Sequence, residues 1–270
     1  MTARAHRQIS SGFTLIELLV VIAIVAILLS VLLPALRVAK TQGQRAVCSY
    51  HIRQIITAVL TYVEEYKGHF NFAANNGLWD NRFLNLPQVV DYRPDDPMAY
   101  WGIGYAAYTD ERSVFHCPSH KRVDDWPESG MGEKFQKYFY YCSYGLNGYI
   151  GLPFPDAGAP QRQPRAITSI SIPSRVIFCQ DHIEQRLDSI DSDMFCIAPG
   201  DQINLRQWRP SAQGGIGFVD TYWASYDTVG ECFRHNRTSV LGFLDAHTQV
   251  LKETTGQDVP HFWYDGNLTN

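Results

Sequence analysis

Apolar and polar positions follow two regimes along the 270-residue chain. From Phe13 to Leu33 only Thr14, Glu17 and Ser30 are not apolar. A run of about 20 apolar residues is long enough to cross a bilayer as a helix. Beyond Pro34 the pattern becomes one-sided. Ala35, Leu36 and Ala39 prolong an apolar stripe, while Arg37, Lys40, Gln42 and Arg45 take the wet face. Ile52, Ile55, Ile56, Val59, Leu60 and Val63 fall on one face of an amphipathic helix. Gly68 is a natural stop. The pattern predicts one helix from about Phe13 to Lys67, some 80 Å long at ~1.5 Å per residue. Pro34 removes one backbone hydrogen bond inside it and is expected to bend it.

The rest of the chain is irregular, with short apolar runs. Residues 69–110 hold turn formers and aromatics, which predicts loops with short helical turns. Val114–Cys117, Phe139–Tyr144 and Arg175–Gln180 are predicted strands, the last closed by Asp181. Gly145-Leu146-Asn147-Gly148 reads as a turn, and residues 151–166 and 184–215 as loops. Ser239–Leu244 and Thr248–Lys252, separated by Asp245-Ala246-His247, predict a hairpin. The tail after Gly256 reads as peripheral. The expected fold is α+β, a long N-terminal helix packed on a C-terminal antiparallel sheet with long loops.

Charge changes the picture at the N-terminus. Arg4, His6 and Arg7 precede the apolar run, and no acidic residue precedes Glu17. That bias places the N-terminus on the cytoplasmic side. Glu17 is costly inside a membrane segment and calls for a partner. A secretory signal has its small-residue cleavage site after the apolar core. Here the core runs into Pro34, and the small residue, Gly12, stands before it.

Gly12-Phe13-Thr14-Leu15-Ile16-Glu17, continued by the apolar run, resembles the class III leader of type IV prepilins and type II secretion pseudopilins. The resemblance implies cleavage after Gly12 and N-methylation of Phe13 by the prepilin peptidase. The apolar helix then serves as membrane anchor and later as filament core. Glu17 is the acidic residue that would meet the free α-amino group of Phe13 on a neighbouring subunit, and Pro34 stands where many pilins carry a helix-bending proline. The implied organisation is a leader over 1–12, a transmembrane and filament-core helix over 13–33, its amphipathic continuation over 34–67 and a pilin-like domain over 68–270. The domain would lie outside the bacterial inner membrane, on a single-pass anchor. Other pilin or pseudopilin subunits are the expected partners.

The globular part is similar to a group of bacterial prepilin-like proteins with a C-terminal H-x9-DG motif. Matching pieces include Cys117-Pro118-Ser119, Ser143-Tyr144-Gly145-Leu146-Asn147 and Arg234-His235-Asn236. His235 and Asp245 keep the spacing of the motif. Ala246 stands where the pattern has glycine, which suggests a different turn or some strain.

Composition narrows the partners. The chain has 23 Lys+Arg against 27 Asp+Glu; without residues 1–12, which hold Arg4 and Arg7, 21 remain against 27, a net of −6. A nucleic-acid binder needs a basic face, so none is expected. The six cysteines include no C-x-x-C pair. Cys48 on the helix and Cys117 in Phe-His-Cys-Pro-Ser form the favoured disulfide pair for a compartment that permits one.

Two other functional classes remain open. His235, Asp245 and His247, with Asp181, suit a metal or acid–base site if they gather. The simpler account is that His235 and Asp245 pin the hairpin through backbone hydrogen bonds. Neither enzyme activity nor a resident metal is assigned. Calcium is conceivable at Asp188, Asp191 and Asp193, though a solvated acidic loop explains them as well. The alternative to a filament subunit is a membrane-anchored module that binds glycan or protein through exposed aromatics such as Trp79, Trp101 and Trp223.

Overall fold

The computed structural model describes residues 14–71, 93, 100–109, 111–120, 143–147, 150, 165–182, 186–187, 232–254, 259–260 and 262–265. The chain divides into two compact units, Met1–Gln42 and Gly43–Asn270. Helix α1 covers Leu15–Glu65, 51 residues, and continues through Pro34.

In the first unit no described residue covers the apolar side chains of the helix. Leu15, Ile16, Leu18 and every large apolar side chain through Leu36 are exposed. This is the only described helix long and apolar enough to cross a membrane. Such a surface needs lipid or other helices around it.

In the second unit α1 becomes one wall of the core. Cys48, Ile52, Ile55, Ile56, Ala58, Val59 and Val63 are buried, while Leu60 is half-buried against the same cluster. The period of 3.6 thus selects the buried face. Full burial of one such aliphatic side chain contributes about 1.5–3 kcal/mol relative to exposure. The helix ends in a Schellman motif, with Gly68 N–H donating to Val63 O at 2.7 Å and Lys67 in the left-handed region at φ 56°.

Five strands form one sheet in the order β3-β1-β2-β4-β5. They are β1 (Tyr144–Asn147), β2 (Ile177–Asp181), β3 (Arg186–Leu187), β4 (Thr238–Phe243) and β5 (Thr248–Lys252). β1, β2, β4 and β5 pair antiparallel; the two-residue β3 adds to β1 in parallel. The hairpin β4–β5 forms as expected, with Val240 opposite Val250.

Several local expectations are corrected. Gly145, Leu146 and Asn147 belong to buried strand β1 and not to a turn. Asn147 is held there by tertiary bonds: its Nδ2 donates to Ile177 O at 2.7 Å and Tyr264 O at 2.9 Å. Val114 and Phe115 lie in a 3-10 turn, Arg112–Phe115, and not in a strand. Helix α2 (Phe262–Asp265) follows buried Val259 and contains buried Tyr264. Among the described residues of the tail, Val259 and Tyr264 are therefore packed inside the domain, against the expectation of a peripheral tail.

Trp101, proposed as an exposed platform, is 1 % exposed. Its Nε1 and the Tyr100 hydroxyl both donate to Tyr144 O, at 3.1 and 2.8 Å. It also makes edge-on contacts with Phe115 and Phe178, both at 5.7 Å.

Candidate functional site

Two regions carry chemistry. The first is the start of α1. Thr14 Nα and Oγ1 donate to Glu17 Oε2 at 2.9 and 2.7 Å, and Glu17 N–H donates back to Thr14 Oγ1 at 3.2 Å. This reciprocal arrangement is a capping box, which satisfies backbone donors that a helix start leaves over. Glu17 therefore has a partner within its own chain. Gly12 and Phe13 lie outside the described residues.

The second region is buried in the sheet domain. Cys48 comes from α1, Cys117 from the turn after the Arg112–Phe115 segment, Asp181 from the end of β2 and His235 from the approach to β4. One ligand-type atom of each lies within 4.8 Å of all the others, and all four residues are buried. His235 Nε2 faces Cys117 Sγ at 3.4 Å and Asp181 Oδ2 at 3.4 Å. Its other nitrogen, Nδ1, lies 3.2 Å from the hydroxyl of buried Ser119.

Each member is held by the fold. Asn236 and Arg237 both take positive φ, 56° and 60°, and so turn the chain sharply after His235. His235 N–H donates to Thr238 O at 3.1 Å, and Thr238 Oγ1 donates to His235 O at 2.6 Å. Val240 N–H fixes Asp181 Oδ2 at 2.8 Å. Asp181 Oδ1 is buried and accepts no hydrogen bond among the described residues; Arg234 Nε stands 3.9 Å away. Gln44 Nε2 on α1 donates to Pro118 O at 2.9 Å, tying the helix to the Cys117 turn.

Burial and mutual contact set the protonation of the cluster. Burial first, then the hydrogen bond with Cys117 and the Asp181 charge, push the Cys48 thiol far up. Burial also opposes ionisation of Cys117, but hydrogen bonds from Cys48 and His235 and the Arg234 charge outweigh it and lower its thiol to about 6. Desolvation works against the His235 cation, yet the Asp181 and Cys117 contacts raise it to about 9. Of the two thiols, Cys48 holds its proton and Cys117 gives its proton up the more readily.

The structure places Cys48 and Cys117, the expected disulfide pair, side by side. Both are free thiols, each engaged in the four-residue cluster. Asp245 and His247 do not join His235 and Asp181. They stand beyond the far end of β4, exposed to solvent. Asp245 Oδ1 accepts from His247 N–H at 3.2 Å and faces His247 Nδ1 at 2.5 Å, and the imidazole stacks on Phe243 at 4.3 Å. Asp245 thus pins the hairpin turn, in which Ala246 takes φ 67°. Asp188, Asp191, Asp193, Trp79 and Trp223 lie outside the described residues.

Residues 7–33 match the family described as the prokaryotic N-terminal methylation motif. The chain carries a prepilin-type leader. The match ends one residue before Pro34 and leaves the sheet domain untouched. No curated protein matches the chain, and no solved structure does. The prepilin-type reading therefore rests on the leader, and on an α+β layout of the pilin kind.

One feature of this prepilin-like chain was within reach of its sequence and another was not. Thr14-x-x-Glu17 is a capping-box spacing, although Glu17 was assigned only an intermolecular partner. Ser119, two residues after Cys117, carried no signal of its own. It became visible only through its position beside His235 Nδ1.

Proposed function

We propose that the protein is a structural subunit of a type II secretion pseudopilus or a type IV pilus-like filament. It is cleaved after Gly12 and N-methylated on Phe13 by the prepilin peptidase. The leader faces the cytoplasm, and the sheet domain lies outside the inner membrane. On assembly the apolar half of α1 leaves lipid for a bundle of identical or related helices. Glu17 then pairs with the α-amino group of a neighbouring Phe13.

The observation that carries this reading is the match at residues 7–33, on the apolar first part of α1, whose large side chains from Leu15 to Leu36 are exposed among the described residues. A buried pair of opposite charges is favourable only when both partners are present, so it fixes axial register between subunits. The role is structural, and no catalytic step is assigned to it. Burial of Trp101 removes one of the aromatic platforms on which a binding module would depend.

The test is intact mass analysis of the protein from membranes of a host with prepilin peptidase. A chain starting at Phe13 with one added methyl group is the expected result. A chain retaining residues 1–12 would overturn the proposal.

A further inference from the structure

We infer that Cys48, Cys117, Asp181 and His235 form a closed four-ligand site for one tetrahedral divalent cation of the zinc class. The inference is independent of the filament role.

Geometry is the first ground. Zinc binds sulfur at about 2.3 Å and imidazole nitrogen or carboxylate oxygen at about 2.0–2.2 Å. A tetrahedron of that size has edges of about 3.3–3.8 Å. The two separations from His235 Nε2 are each 3.4 Å. A neutral imidazole nitrogen offers one lone pair or one proton. Two acceptors at the same distance from Nε2 are not both served by a single N–H, whereas a cation at the centre serves all of them.

The surroundings are the second ground. A ligating histidine donates its other N–H to a neighbouring group, which fixes tautomer and ring orientation. Ser119 Oγ at 3.2 Å from Nδ1 provides that acceptor. Asp181 has one oxygen held by Val240 N–H, while Oδ1 is buried and accepts no hydrogen bond among the described residues. A buried carboxylate charge is costly unless it is paired, and a cation held at Oδ2 pairs it from the side opposite Arg234.

Charge is the third ground. Two thiolates and one carboxylate around a divalent cation leave one negative charge. Arg234, with a side chain 2 % exposed and Nε 3.9 Å from Asp181 Oδ1, supplies the compensating positive charge. Each thiol still protonated gives its proton to solvent as its sulfur ligates. Two sulfur donors and an imidazole exclude calcium and magnesium, which take oxygen ligands. The set matches the sulfur and nitrogen preference of zinc. Four protein ligands, all buried, leave no open position, which is the pattern of a structural site. Such a site would fasten α1 to the sheet through Cys48.

The test uses the full-length chain in detergent, purified without chelator and under reducing conditions, with metal content measured by plasma mass spectrometry. One zinc per chain is expected, with at least a tenfold loss of retained metal in Cys48→Ser and Cys117→Ser. Those variants can also fail to fold, so the wild-type chain is stripped and titrated with cobalt. Tetrahedral ligand-field bands with thiolate-to-metal charge transfer are expected at one equivalent. Three results would overturn the site: no retained zinc together with no cobalt spectrum, metal retention unchanged in the folded cysteine variants, or a Cys48–Cys117 disulfide-linked peptide from protein isolated under native conditions.

Discussion

Gly242 on β4 lies directly against Ile52 on α1. A Cβ at position 242 would overlap Ile52 Cγ2 and approach Ile56 Cδ1 to 2.6 Å. The missing side chain is what lets the helix lie this close to the sheet. Gly242→Ala is expected to destabilise the domain by about 1–3 kcal/mol, the usual cost of overpacking a filled core. Ile52→Ala leaves a cavity and costs about 2–5 kcal/mol by itself. Because the two sites touch, the double variant should lose less than the two single losses together. Denaturant unfolding of the full chain in detergent measures all three; strict additivity would show that helix and strand do not meet here.

Ala246 occupies the turn position that favours glycine and keeps its left-handed backbone, φ 67°. An L-residue pays about 1–2 kcal/mol for this region, and glycine loses part of that gain through its freer unfolded chain. Ala246→Gly should therefore raise stability by about 0.5–1 kcal/mol, and a two-state unfolding curve is sensitive enough to detect it. The substitution also removes a methyl group half-buried against the core, so a net loss would mean that packing outweighs the backbone strain.

Asp245 gives a pH test of the same turn. Burial is the largest single influence on its carboxyl and raises it, but the hydrogen bonds with the His247 ring and backbone N–H, acting together, prevail and hold it below the ordinary range. A depressed folded value means that the ionised form stabilises the fold. The contribution is full above the unfolded Asp value of about 3.9 and fades as pH falls through the lower folded value. The stability gap between wild type and Asp245→Asn should thus stay constant above about pH 5 and narrow in acid. A gap independent of pH down to unfolding would refute the role of the charge.

The elements legible in the sequence are those whose signal is local. The helix face through Ile52, Ile55, Ile56 and Val59 follows from periodicity, and the β4–β5 hairpin from two apolar runs around Asp245-Ala246-His247. β1 was hidden because Gly145-Leu146-Asn147 carries turn chemistry, and its strand form depends on bonds from Asn147 to Ile177 and Tyr264. Both halves of the cluster left traces: Cys48 with Cys117 as an expected pair, and His235 with Asp181 inside a metal-type set that also held Asp245 and His247. Their meeting point is a product of tertiary packing, since four separate segments converge on it. His235 and Asp245 share a motif yet serve opposite ends of β4, so proximity in sequence was misleading there.

Ser119 is a positioning residue for His235. If the buried cluster holds zinc, losing the acceptor at Nδ1 should weaken affinity about 10–100-fold. Ser119→Ala should show this loss in competition with a chromophoric chelator, while Ser119→Thr, which keeps a hydroxyl, should restore most of it. A merely structural serine would lower stability in both variants without separating their metal affinities.

Glu17 separates two uses of one carboxylate. In the single chain it completes a capping box with Thr14; in a filament it is proposed to pair with a neighbouring α-amino group. Glutamine fills the same capping position, because its amide oxygen accepts the same backbone hydrogen, but it carries no charge. Glu17→Ala removes both functions, and Glu17→Gln removes only the charge. If charge pairing sets subunit register, both variants should be cleaved after Gly12 yet fail to assemble. If capping is the main role, Glu17→Gln should form filaments and Glu17→Ala should not. The separation is measured by fractionating sheared filaments from membranes and comparing the N-terminal masses of each pool. Normal filaments from Glu17→Ala would exclude both uses at once and leave helix packing alone to set the register.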